Sequence, residues 1–424
     1  MDPITAINSL WLLVAAALVL LMTPGVAFFY GGMVRAKSVL SMMMMSFGAI
    51  AIVAVLWVLY GYSMSFTSGD DWVIPHVIGN PFTNFGMIPQ LTAADGGPDL
   101  YALAFAGFQA TFAIITVALI SGAIADRAKF GTWMIFCAIW VTFVYFPVAS
   151  WVFNFTLGDE GLTDGGWIVY GLGVNDFAGG TAVHINAGAA GLALAIVLGK
   201  RIGFAKGMAK PHNVPLTLLG ASLLWFGWFG FNAGSEAAVD GIAALAWINT
   251  LAAPAAAIIG WLIVEKIKDG KPTSIGAASG AVAGLVAITP ACNILTPFWG
   301  MVLGLVTGAV CALAIDLKWR LGFDDALDVV GIHLVGGIIG TLWVGVFGNG
   351  IGLIYTGSAT QLGAQALGAL AVLVFSFFST ALLGFILEKT IGFRIKNEDE
   401  QAGIDTSVHG EEGYALDEPV TVRG

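Results

Sequence analysis

Charge is what this sequence has least of. Only 10% of its 424 residues are Asp, Glu, Lys or Arg, where a soluble globular chain carries about 25%, and that deficit excludes a soluble globular fold. Cysteine is scarce too. Cys137, Cys292 and Cys311 are too widely spaced for a metal or redox motif and read as small buried apolar residues. The first residues, MDPITAINSLWLL, lack the basic cluster that opens a signal peptide, so the first apolar run is expected to be retained. Basic residues are outnumbered, 17 against 27, leaving a net charge of −10, which argues against nucleic-acid binding. There is no nucleophile–base pair and no cofactor loop, so the chain reads as a non-enzyme without a cofactor. The GGTAVHINAG run (179–188) lies inside an apolar span and is no dinucleotide loop.

What fills the space is hydrocarbon and glycine: 58% hydrophobic residues and Gly 57, with a mean hydropathy of +0.88. A spanning helix needs about 20 apolar residues, and glycine lets such helices pack closely. The expected fold is an all-α polytopic membrane protein with eleven transmembrane helices, about 8–33, 39–66, 100–125, 131–153, 176–199, 214–236, 241–265, 275–291, 298–317, 329–350 and 363–391. The eighth is short and holds a TPAC proline. Charge placement supports the count. Arg35 and Lys37 follow span one, Arg127 and Lys129 span three, Lys200, Arg201, Lys206 and Lys210 span five. Lys266, Lys268 and Lys271 follow span seven, Lys318 and Arg320 span nine, and Lys389, Arg394, Lys396 and Arg423 close the chain. All fall on one side, which the positive-inside rule makes cytoplasmic, so the amino terminus is expected outside and the carboxyl terminus inside a cell membrane.

The opposite loops hold Asp70, Asp71, Asp95, Asp99, Asp159, Glu160, Asp164 and Asp240. A negative mouth concentrates cations, although acids also remain by default where Lys and Arg are excluded. The long loops 67–99 and 154–175, with Trp72 and Trp167, read as interface anchors or a structured cap. Residues 1–392 form the membrane domain. Residues 393–424 form an acidic tail, either unstructured or docked on the basic loops, whose acids face the cations of GKRIGFAKGMAKPHN (199–213).

Five spans followed by five of opposite entry suggest an inverted repeat, about 8–199 and 214–350, with a final span at 363–391. Span five opens with DFAGGTAVHINAG and span ten with DDALDVVGIHLVGGIIG. Asp176 precedes His184 by eight residues, and Asp325 precedes His333 by the same interval. At 1.5 Å per residue that is about 12 Å of depth from each face, in a core about 30 Å thick. Two histidines entering from opposite sides are expected near the midplane, within reach of each other. One buried histidine is ordinarily a packing residue; a symmetric pair suits a narrow polar thread that shares protons and solvates a small neutral solute. No thiolate or carboxylate lies at matching depth for a metal.

Aromatics gather around them. Phe108 and Phe112 share a helix face; Trp228 and Phe231 stand three apart near the end of span six, ahead of Ser235; Trp151 and Phe153 close span four. Singly these are ordinary core or belt residues. Beside an acidic mouth they suggest a cation–π site above an apolar gate.

These segments, together with GWFGFNAGS, KPHN, FQATFA and GIDTSVHGE, resemble the ammonium transporter family (Amt/Mep/Rh, bacterial Amt type) over about 8–412. The resemblance implies a homotrimer with one pore per subunit that moves ammonium or its analogue methylammonium across the lipid bilayer. By position it makes Phe108, Trp228 and Ser235 the outer ammonium site, Phe112 and Phe231 the gate, His184 and His333 the pore pair, and Asp176 a structural support. Where relatives carry tryptophan at the end of span four, this chain has Phe153, and Trp151 or Trp167 is an alternative wall. The resemblance also implies a tail that lies across a neighbouring subunit, with a PII-class signalling protein as a partner. Two other readings stand beside it: a passive neutral-solute channel, and an ammonium sensor signalling through its tail.

Overall fold

A computed structural model describes residues 2–92, 96–158, 161–206 and 210–414. Asp95, Asp159, Glu160 and Arg423 lie outside these residues, as does the end of the tail. Among the described residues, ten helices are long and apolar enough to cross a membrane: Pro3–Met33, Ala36–Ser65, Leu100–Ile124, Phe130–Phe153, Gly180–Leu198, Val214–Gly234, Gly241–Asp269, Pro297–Leu321, Val330–Phe347 and Thr360–Thr390. The short eighth run is the apolar helix Ser274–Ile288. It ends at Ile288 and is capped by Thr289, which keeps helical geometry and donates its N–H to Val286 O. The protein is an all-α polytopic membrane bundle, with a small hairpin, Phe155–Gly158 paired antiparallel with Gly161–Gly165, in the loop after span four.

Glycine sets the closest approaches, as its abundance implies. Spans one and six touch where Gly220 leaves no room for a side chain: an added Cβ would stand 2.2 Å from the Phe29 amide nitrogen. Such contact between backbones gains dispersion energy that lipid tails do not compete away.

Span five differs from its expected bounds. The helix starts at Gly180 rather than 176, because residues 176–179 form a turn closed by the Asp176 side chain, with Gly179 at φ 116°.

The acidic loops fold together as a cap. Trp151 Nε1 donates to Val77 O at 2.7 Å, Trp167 N to His76 O at 3.0 Å and Gly166 N to Asn154 O at 2.9 Å.

At the basic end, the tail docks on its own chain. Ile395 N donates to Arg127 O at 2.9 Å, and Lys129 N to Phe393 O at 2.8 Å. Glu400 accepts from Ile202 N at 2.6 Å and pairs with Arg394 at 2.7 Å. Asp405 caps the start of span two, accepting from Leu40 N at 3.0 Å and Ser41 N at 2.7 Å. Ile404 is buried, and the Tyr414 hydroxyl meets His212 Nε2 at 2.8 Å. The tail thus docks on the basic loop 199–213, at Ile202 and His212, but the expected pairing of its acids with that loop's cations is corrected. Glu400 and Asp405 bind backbone amides and the tail's own Arg394, while Arg201 is committed to Asp126 and Asp324.

Those last residues form the electrostatic hub of this face. Arg127 and Asp324 are both fully buried and 3.8 Å apart. Arg201 grips Asp324 with Nη2 at 2.8 Å and Nε at 2.9 Å. Burial alone would raise the Asp324 carboxyl, but the hydrogen bonds and charge of Arg201, then Arg127, outweigh it and hold the group below its ordinary value. Breaking a buried pair costs about 3–5 kcal/mol because the orphaned charge remains. Asp324→Ala is therefore expected to lower the thermal stability of the detergent-solubilised protein by roughly that amount. A carboxyl held down in the folded state stabilises above its unfolded pKa of about 3.9 and loses that contribution as pH falls through its folded value. The deficit of the variant should thus be constant from neutral to mildly acid pH and shrink only below about pH 4; a deficit that shrank already between pH 7 and 5 would contradict it.

Candidate functional site

The entry to span five is built around one carboxylate. Asp176 accepts from the amides of Gly179 at 2.9 Å, Thr181 at 2.7 Å and Ala182 at 3.2 Å, and also from the Gly180 amide and the Thr181 hydroxyl. These are the donors that a helix start leaves unsatisfied, and an ionised acceptor binds them strongly. The TPAC segment closes over the same turn. Pro290 O accepts from Asn175 Nδ2 at 3.0 Å and from Phe177 N at 3.3 Å. An added Cβ at Gly180 would stand 2.6 Å from the proline ring.

The helix then runs as a wide π turn, Gly180–Ile185, with His184 inside it. Span ten repeats the device. Asp325 accepts from Val329 N at 3.1 Å and Val330 N at 2.7 Å, and the π turn Val330–Leu334 carries His333. π turns are rare and concentrate at functional positions. Both imidazoles are buried. Their Nδ1 atoms lie 3.2 Å apart, and the rings stack at 5.4 Å and 19°. With both rings neutral, one Nδ1 donates and the other accepts, so the two rings hold different tautomers.

An apolar cavity surrounds the pair, lined by Met22, Val26, Tyr30, His184, Trp228 and His333 among others. Phe231 lines it too and closes it toward the acidic loops by stacking on Phe112, centroids 4.0 Å apart and 17° between planes. Phe108 meets Phe112 edge-on at 4.8 Å. The Ser235 hydroxyl donates to Phe231 O at 2.8 Å, which leaves its lone pairs available as acceptors.

Trp228 was expected beside Phe108 and Ser235; the structure puts it on the histidine side of the phenylalanine pair. It stacks on His184 at 5.3 Å and 18°, and its Nε1 donates to Thr289 Oγ1 at 2.9 Å. Three residues before Phe231, it sits about 4.5 Å nearer the basic end of the helix. The three aromatics considered for the wall have different neighbours. Phe153 stands edge-on to Phe112 at 6.0 Å. Trp151 instead packs on Phe375 and Trp167, and its nitrogen is engaged by the cap.

Four contributors carried no sequence signal of their own. Tyr30 lines the cavity, its hydroxyl donating to Leu119 O at 3.2 Å. Gln365 on the final span grips both backbone groups of Asn175, each at 2.8 Å. Ser376 donates to Asn186 Oδ1 at 2.6 Å, bracing the turn below His184. Glu236 follows Ser235, and burial, then the nearby Asp240, pushes its carboxyl up to about 7. A histidine near a mouth carboxyl and an aromatic cluster is visible in sequence; which remote polar side chain braces it is not.

Comparison with known proteins gives one answer. The profile described as the Ammonium Transporter Family matches residues 10–414. The chain is 53% identical to an ammonium transporter of Mycobacterium tuberculosis, covering 96% of this chain and 90% of that one. It is 44% identical to an ammonium transporter of Bacillus subtilis, over 96% and 98%. Among solved structures it resembles one described as a sensor Amt protein, with TM-score 0.87, 31% identity and coverage of 95% and 98%. It also resembles Mep2 of Saccharomyces cerevisiae, with TM-score 0.82, 35% identity and coverage of 93% and 88%.

Proposed function

The chain belongs to the ammonium transporter family, and from that premise we propose that it recruits ammonium at an aromatic mouth, strips its proton and conducts ammonia past two histidines. The observation that carries this reading is the juxtaposition of the stacked Phe112–Phe231 pair with the touching His184–His333 pair. Rings 4.0 Å apart leave no space for a hydrated cation until they swing. A bare cation among apolar side chains loses its hydration at a cost of several kcal/mol or more. A neutral molecule escapes most of that cost, and the unpartnered Nε2 of His184 offers it a hydrogen bond.

The mouth is formed by Phe108, Phe153 and Ser235: two π faces for a cation and one hydroxyl acceptor. Trp228 belongs to the pore wall beneath the gate, holding the His184 ring by stacking. Asp176 fixes the turn that carries His184. The acid-bearing cap faces outward and the basic loops face the cytoplasm, with the amino terminus outside and the tail inside the cell membrane. Residues 1–392 form the transport domain of a homotrimer, with pseudo-repeats about 8–199 and 214–350 and the final span 363–391. Asp176 and Asp325 before matching π turns support that repeat. Residues 393–424 are a cytoplasmic tail, against which a PII-class protein docks.

A sensor reading has one observation in its favour, the likeness to a structure described as a sensor Amt protein. Truncation after residue 392 separates the two. A transporter whose tail braces span two is expected to lose uptake rate while still assembling; unchanged uptake together with loss of a nitrogen response favours the sensor.

His184→Ala and His333→Ala are each expected to abolish ammonium-selective uptake by reconstituted protein while oligomeric assembly stays normal. Selective uptake by the double variant contradicts the histidine route. Ser235→Leu is expected to raise the half-saturating methylammonium concentration about threefold to tenfold, the weight of one hydrogen-bond acceptor. An unchanged value places the cation elsewhere.

A further inference from the structure

His76 ties together segments of the cap over the mouth that are distant in sequence. It stands at the tip of a tight turn closed by the Ile74–Ile78 backbone pair, in the left-handed region at φ 63°, which histidine adopts more readily than most residues other than glycine. Its side chain enters a gap between elements that are distant in sequence. His76 Nδ1 lies 2.7 Å from Gly165 O. A carbonyl oxygen only accepts, so Nδ1 carries the hydrogen. The same nitrogen is 3.5 Å from Asp164 Oδ1, and the other Asp164 oxygen accepts from Gly69 N at 3.0 Å. The ring stacks on Tyr170 at 5.6 Å and 27° and leans on Trp72 at 5.8 Å. Its own carbonyl accepts from Trp167 N at 3.0 Å.

From Gly165 the connection to the mouth is short. Gly166 N donates to Asn154 O, and an added Cβ at Gly166 would meet Ser150 O at 2.1 Å, so this strand lies directly on the end of span four. Asn154 follows Phe153, whose ring stands edge-on to the gate residue Phe112. From the other side, Val77, next to His76, holds Trp151 two residues before Phe153.

We propose that His76 is a positioning residue for the cation mouth: its clamp on Gly165 fixes the end of span four and so sets the Phe153 ring against which ammonium is recruited. The proposal rests on the transport reading above and adds a residue more than seventy positions away in sequence. Because the clamp acts on the mouth and not on the pore, it governs the concentration at which transport half-saturates and leaves the maximal rate alone.

His76→Ala removes the ring and its N–H. His76→Asn restores an N–H near the position of Nδ1 and tolerates the left-handed backbone. Two readouts are taken on full-length reconstituted protein: methylammonium uptake against concentration, and hydrogen–deuterium exchange at the Gly166 and Trp167 amides. The alanine variant is expected to raise the half-saturating concentration about threefold to tenfold, as for one hydrogen bond, with a maximal rate within about twofold, and to speed exchange at both amides. The asparagine variant is expected to recover both. Unchanged exchange in the alanine variant overturns the clamp itself. Faster exchange with unchanged half-saturation overturns its role at the mouth, as does a loss confined to maximal rate. If the parent protein shows no saturable uptake, the transport reading falls, and the role at the mouth falls with it.

Discussion

The contact between His184 and His333 is the constraint around which this bundle is arranged. Two imidazoles 3.2 Å apart inside an apolar core are costly unless each finds a partner, and here they find each other. To bring them there, two helices open into π turns, and a π turn leaves backbone amides that need acceptors. Asp176 and Asp325 supply these acceptors from opposite ends of the bundle. The carboxylates are therefore consequences of the histidines: each satisfies the backbone of the turn that delivers one ring. Gln365 and Ser376 extend the same logic onto the final span, which packs against span five.

The phenylalanine pair gives the histidines their meaning. A polar pair open to water on both sides would be a wet pore that admits cations. Phe112 on Phe231 seals one side, and Trp228 narrows the chamber behind it, its N–H spent on Thr289 so that only its face is presented to His184. On the proposed reading selectivity follows from desolvation, and the charge clusters of the described residues lie at the two ends. At the basic end they condense into the Arg127–Asp324–Arg201 hub, to which the tail adds Arg394 and Glu400. At the acidic end they decorate a cap whose placement depends on His76.

Much of this was legible in the sequence because membranes impose simple rules. Span length, the sidedness of Lys and Arg, and the matched intervals from Asp176 to His184 and from Asp325 to His333 follow from thickness and rise per residue. The stacking of Phe112 and Phe231 was implied by family likeness and not by spacing. Depth within a helix was read less well. Trp228 was grouped with Phe108 and Ser235 through the family resemblance, whereas it stacks on His184, three residues nearer the basic end than Phe231. The start of span five was placed too early, since a carboxylate that caps a turn looks in sequence like the first residue of a helix. The tail was read as charge seeking charge, whereas Asp405 and Glu400 satisfy backbone amides, which sequence does not display. The hairpin after Phe153 was foreseen only as a cap of undefined form.

The central claim is that this bundle selects ammonium by passing it between stacked phenylalanines to a histidine pair. It is tested most directly by labelled methylammonium uptake into proteoliposomes containing the purified protein, with ammonium and potassium as competitors. The account expects saturable uptake that ammonium suppresses and potassium leaves untouched. Uptake no greater than in protein-free vesicles, or equal suppression by potassium, would contradict it.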